Sequence, residues 1–139
     1  MNLVNKNILT ARLERLRGYL EILETVQTYD CSRFIEDPFI HGTAERNLHL
    51  AIECLLDIGN HIISDKGYQK PENDTDIFRI FHKNQIIPDQ LYEKLECMAA
   101  FRNILIHDYM NLDRSRIYQI IQSKTSCLEE LGHIFARMI

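Results

Sequence analysis

Arg102, His107 and Tyr109 stand close together in the run FRNILIHDY, residues 101–109, among neighbours that mostly suit an apolar core. A guanidinium can hold two anionic oxygens at once. An imidazole, with an unperturbed pKa of about 6.5, can give or take a proton near neutral pH. A phenol supplies a hydroxyl. In a helix core each of these groups has to find a partner or leave the core. The elements that carry them therefore decide which can act together.

Leu91, Leu95 and Met98 step at helical spacing, and the same rhythm continues through 102, 105 and 109. Arg102 and Tyr109 fall in register with the buried face of a helix that starts at Pro88, with Asp89 near its N-terminus, and exits near Asn111. Cys97, Phe101 and Ile104 make a second apolar line beside the first. A guanidinium on a buried face needs a carboxylate or several hydrogen bonds. His49, Glu53, Asp57 and His61 recur every four residues on another helix, a slowly drifting polar ridge from which Glu53 or Asp57 can pair with Arg102. On these grounds alone the first reading of Arg102 is a core ion pair joining two helices.

That reading leaves His107 unexplained. It lies five residues after Arg102, about 140° around an ideal helix, so a straight helix holds the two apart. They converge if the helix ends or distorts near Ile106, or if a second subunit completes the site. The plain alternative for His107 is an imidazole at a helix C-terminus, where its charged form is favoured. For Tyr109 it is a half-buried phenol closing the apolar stripe.

Other segments supply the frame. A first helix from about Leu3 to Tyr29 carries Leu9, Leu13, Leu16, Leu20 and Leu23 on one stripe. Asp30-Cys31-Ser32 breaks it, and a short helical turn precedes Pro38. The second long helix runs from Pro38 or Thr43 to Asp65 and stops at Lys66-Gly67. YQKPENDT is a loop, and Thr75 or Asp74 caps a short helix reaching about His82. Asp113 caps a last helix with Ile117, Ile120, Ile121, Leu128, Leu131, Phe135 and Met138 on its stripe. The expected fold is all-α: an antiparallel bundle of four long helices plus a short helix, one domain over residues 1–139.

Composition narrows the function. The net charge of −4 gives no overall basic excess for coating nucleic acid, so any such contact needs a local patch formed in the fold or on oligomerisation. Cys31, Cys54, Cys97 and Cys127 are scattered, without zinc spacing, and read as reduced, mostly buried thiols of a cytoplasmic protein. No run is long and apolar enough to span a bilayer, so no membrane partner is expected, and the N-terminus reads as helix rather than signal peptide. The four-residue ridge could group metal ligands, but the Glu-x-x-His pairs of a bundle di-metal site are missing, so neither a metal nor a cofactor is expected. Phosphate-loop, dinucleotide and nucleophile-elbow signatures are also missing.

The string from Arg102 to Tyr109, R-N-I-L-I-H-D-Y, has the form R-x4-H-x-Y and resembles the signature of the HEPN superfamily, specifically the HepT-like toxins of HepT/MNT toxin–antitoxin systems. Arg46 to Gly67 resembles that family's second helix, with Glu53 and Asp57 as its polar pair, although Asp57 stands where many relatives carry a basic or other polar residue. The resemblance implies a metal-independent endoribonuclease. It implies a homodimer whose cleft brings the motifs of two subunits together, with Arg102 and His107 catalytic and Glu53, Asp57 and Asn103 supporting. It implies a cognate minimal nucleotidyltransferase antitoxin that transfers AMP from ATP to Tyr109. The chemistry is coherent, because RNA carries its own nucleophile in the 2′-OH, so that acid–base groups and a phosphate-binding cation suffice. AMP on Tyr109 would block the cleft by bulk and charge. The reading from another class is a non-catalytic helical binding subunit of a nucleotidyltransferase complex.

Overall fold

Polar side chains set most of the helix boundaries. In the computed structural model, which describes residues 2–139 apart from the side chains of Val4 and Tyr109, Asn2 accepts the Asn5 N–H at the start of α1 (Leu3–Val26). Asp30 caps α2 (Cys31–Glu36), and Asp37, with Pro38 at the first helical position, opens α3 (Pro38–Lys66). α3 closes at Gly67, whose φ of 70° lets the Tyr68 N–H reach back to the Ile63 carbonyl. Asn73 caps α4 (Asp74–Lys83) through its side-chain oxygen. This corrects the expected cap: Asp74 and Thr75 lie inside the first turn, and the Asp74 carboxylate is free for another task. α5 (Asp89–Leu95), α6 (Met98–His107) and a 3-10 turn (Tyr109–Asn111) follow, and α7 (Arg114–Arg137) is capped by Asp113, as its sequence indicates.

The stretch read as one helix from Pro88 is two. Glu96 keeps helical dihedrals (φ −57°, ψ −31°), and the interruption comes at Cys97, whose ψ is −4°. The two pieces share one neighbour and differ in the other: α5 lies against α4 and α7, α6 against α3 and α4. The apolar stripe survives, since Leu91, Leu95, Met98 and Leu105 are all buried. The second line does not: Phe101 is half-buried, but Cys97 is exposed and Ile104 is 47% exposed.

The result is an all-α bundle, with no strand among the described residues. Three of its helices are long rather than four, because the fourth is divided at residues 96–97. α3 is the hub, packing on α1, α2, α4, α6 and α7. Its Gly59 makes a tight passage: a Cβ there would come within 2.9 Å of Ile77 Cγ2 and 3.1 Å of Phe81 Cε2. Phe81 and Phe135 meet beside it with ring centroids 4.8 Å apart. Of the four thiols, all free, Cys54 and Cys127 are buried, Cys31 is half-buried and Cys97 is exposed, so fewer are sheltered than expected. No helix among the described residues is long and apolar enough to cross a membrane.

Candidate active site

α6 presents Arg102 toward α3 and α4. The side chain is only 11% exposed, with Nη1 3.5 Å from Glu53 Oε1 and Nη2 bonded to Asp74 Oδ2 at the start of α4. Its Nε is buried without a hydrogen-bond partner. Arg102 stands in the stripe between the buried Met98 and Leu105, so the register that predicts burial holds across the break in the helix. Of the two α3 carboxylates, Glu53 is the partner. Asp57 makes no ion pair with Arg102; partial burial pushes its carboxyl above the usual range, against the pull of Arg12. Asp74 has no signature in the spacing, being 28 residues from Arg102 in the chain.

The α3 ridge is longer than its central four residues. Glu53 Oε2 lies 3.1 Å from His49 Nε2, and His49 Nδ1 faces Arg46 Nη1 at 3.5 Å. Burial, ahead of the opposing effect of Glu53, lowers the His49 pKa from its ordinary value, and Arg46 and Arg102 lower it further. One turn earlier, Arg114 Nε donates to His41 Nδ1 at 3.1 Å and lies 3.6 Å from Glu45 Oε1. Because His41 Nδ1 accepts from Arg114, its 3.8 Å approach to Glu45 is proximity, not a hydrogen bond. Burial raises the Glu45 carboxyl pKa, against the pull of Arg114 and His41. His41 and Glu45 continue the four-residue spacing upstream from His49 and could have been found by extending it. Arg114 and Asp74 reach the ridge from other helices, which no local pattern encodes.

His107 is the last residue of α6, at the end of a helix whose Asp108 cap and following 3-10 turn close the segment. It is exposed and makes no hydrogen bond or ion pair with the other described residues. The helix runs through Ile106 without distortion, so Arg102 and His107 diverge within one chain. Ala100, Asn103 and Ile104, all exposed, share the His107 face. Asp108 Oδ1 accepts from Asn111 Nδ2 at 2.9 Å and holds the exit turn. Tyr109 begins that turn; its side chain lies outside the described residues.

Two hollows flank α6. One of about 260 Å³ opens beside Arg102 and includes Asp57, Asn60, Lys70, Asp74 and Ile77 in its wall. The other, of about 300 Å³, lies between Gly42, Glu45, Arg46 and His49 on α3 and Leu105 and Ile106 on α6. Among the described residues no group of three or more His, Cys, Asp and Glu side chains could hold a metal ion.

The chain is thus an all-α bundle in which the arginine of the R-x4-H-x-Y string is braced by a glutamate of the neighbouring long helix. The family described as ribonuclease HepT-like matches residues 13–132, and the chain belongs to that family. Among curated relatives it is 29% identical over 101 residues to the mRNA nuclease HepT of Shewanella oneidensis, covering 73% of this chain and 76% of that one. It is 25% identical over 114 residues to the tRNA nuclease HepT of Aphanizomenon flos-aquae, covering 82% and 78%. Among solved structures, the tri-AMPylated Shewanella oneidensis HEPN toxin in complex with MNT antitoxin shares its fold, with a TM-score of 0.84, 24% identity and 99% of each chain covered.

Proposed function

We propose that this chain, as one HepT-like domain, is a metal-independent endoribonuclease toxin of a type VII-like system. It acts in the cytoplasm as a homodimer and is neutralised when a cognate minimal nucleotidyltransferase transfers AMP to Tyr109. The observation that carries the reading is the face around His107: an imidazole with no partner among the described residues, in a row of exposed Ala100, Asn103 and Ile104 at the end of a helix, with Met110 80% exposed beyond it. Exposed Ile104 and Met110 are apolar surface that a partner can cover, and a second copy related by a two-fold axis would set two His107 side chains across one cleft. The nuclease names of the relatives and the AMPylated state of the structural neighbour support the same reading.

Each residue then has a role. His107 moves the proton between the 2′-OH and the leaving oxygen, as one acting histidine or as a base–acid pair across the dimer. Arg102 binds a phosphate oxygen and offsets charge on the phosphorane. Glu53 holds Arg102 in place, and its other carboxylate oxygen lies 3.1 Å from His49 Nε2. Asp57 lies in the wall beside Arg102, and Asn103 lies on the His107 face. One observation favours the non-catalytic binding subunit: both Arg102 Nη atoms are engaged by carboxylates of the same chain.

Purified protein incubated with RNA in excess chelator, beside His107→Ala, separates the two readings. Cleavage by the unsubstituted protein and loss of it in the variant is the expected result; no cleavage of several RNA classes would favour the binding subunit. Mass spectrometry after incubation with the cognate nucleotidyltransferase, ATP and magnesium should place AMP on Tyr109, and the added mass should vanish in Tyr109→Phe.

A further inference from the structure

Charged and polar side chains stand in line along α3 and across to α6. Arg46 Nη1 faces His49 Nδ1 at 3.5 Å, His49 Nε2 lies 3.1 Å from Glu53 Oε2, and Glu53 Oε1 lies 3.5 Å from Arg102 Nη1. A guanidinium only donates. The ring nitrogen facing Arg46 is therefore the acceptor, and the ring proton sits on Nε2, on the side of Glu53. Nε2 is buried and has no aligned hydrogen bond, so its approach to Glu53 is an electrostatic contact. The His49 side chain is only 15% exposed, and it lines the hollow that Arg46 shares with Leu105 and Ile106 of α6.

We infer that His49 is a positioning residue of the ribonuclease site: as a neutral ring it leaves Glu53 to Arg102, and as a cation it draws Glu53 away. The inference rests on the ribonuclease reading. Protonation places an N–H on Nδ1 against the Arg46 guanidinium, and a positive charge beside Glu53 Oε2. The carboxylate is then shared between two cations, and Arg102 is left chiefly to Asp74 on α4. The charged groups that face the ring are Glu53 and Arg46 from α3 and Arg102 from α6; Leu105 and Ile106 across the hollow carry no charge. Burial is the largest influence, and with the two arginines it outweighs Glu53, so the ring is neutral at neutral pH. Acidification then removes one support of Arg102 independently of what it does to His107.

Spectroscopy and kinetics on the full chain test this together. NMR of the arginine side chains follows the Arg102 Nε–H, which is buried without a hydrogen-bond partner, beside the His49 ring signals as pH is lowered from 7.5 to 5. The Arg102 signal should move with the His49 midpoint and stay still in His49→Gln. Cleavage of an oligoribonucleotide in excess chelator gives the pH profile. Its acid limb should approach a slope of about two in log kcat, one proton on His107 and one on His49, and fall to about one in His49→Gln. At pH 7.5 His49→Ala should lower kcat several-fold with little change in KM, and His49→Gln, whose amide stands in for the Nε2–H, should restore most of the loss. Thermal melts control for folding, and His49→Gln carries the test where His49→Ala does not fold. An Arg102 signal that ignores the His49 titration, or an acid limb unchanged in His49→Gln, overturns the inference; where that chain still cleaves RNA, the ribonuclease reading stands. Coupled signals in a chain that cleaves no RNA class leave a structural contact only, and both readings fall.

Discussion

Removing Arg102 tests how much of the site is architecture. Its side chain is 11% exposed and meets Glu53 and Asp74, which are 41% and 49% exposed. A fully buried ion pair broken from one side costs about 3–5 kcal/mol, because the remaining charge is stranded away from water. Here the stranded carboxylates can rehydrate, so each contact is worth closer to an exposed pair, about 0.5–1 kcal/mol. Arg102→Met keeps the stem between Met98 and Leu105 and should cost about 1–2 kcal/mol, the two contacts together. Arg102→Ala also loses two buried methylenes at about 0.8 kcal/mol each, for a total near 3 kcal/mol. At a chain length between the surveyed size classes, about 3–5 °C per kcal/mol, the Tm should fall by about 3–10 °C for Met and by clearly more for Ala. Circular dichroism melts and urea titrations at one protein concentration read both variants. A methionine variant as stable as the unsubstituted protein would refute the claim that the ion pairs hold α3, α4 and α6 together. Equal losses in Met and Ala would refute the claim that the stem packs.

Three further outcomes follow. Gly59→Ala places a methyl against Ile77 and Phe81; the overpacking cost of about 1–3 kcal/mol outweighs a helix-propensity gain of up to about 1 kcal/mol, and denaturant titration should show net destabilisation. The His49 pKa lies below its ordinary 6.5 in the folded chain, so the unfolded chain takes up the proton first. The stability contributed there is complete above pH 6.5 and is lost as pH falls from there through the folded pKa; His49→Gln should flatten the Tm–pH curve across that window, and an unchanged curve would contradict the assignment. Burial pushes the Cys54 thiol up to about 11, and its Sγ donates to the Arg12 carbonyl at 3.1 Å. Iodoacetamide at pH 8 should therefore leave Cys54 unmodified until denaturant is added, as peptide mass mapping will read.

The boundary between what could be read from the chain and what could not follows the range of the interactions. Caps and stops are local: Asp113, Pro38 and Gly67 act within a few residues, and each marks an end where its chemistry requires one. The stripe through Leu91, Leu95, Met98, Arg102 and Leu105 is also local, and it predicts the burial of Arg102 even though the helix carrying it is broken. No proline or glycine marks the interruption at Cys97, and α5 and α6, which share α4 as a neighbour, otherwise pack on different helices. Glu53 is found by its spacing on α3, but the same spacing offers Asp57 equally, and only the packing angle of α6 on α3 decides between them. Asp74 shows the limit most clearly. Read locally it is a helix cap, and that reading fails because Asn73 takes the cap and frees the carboxylate. Its partner on α6 lies 28 residues away in the chain, beyond the reach of any local pattern.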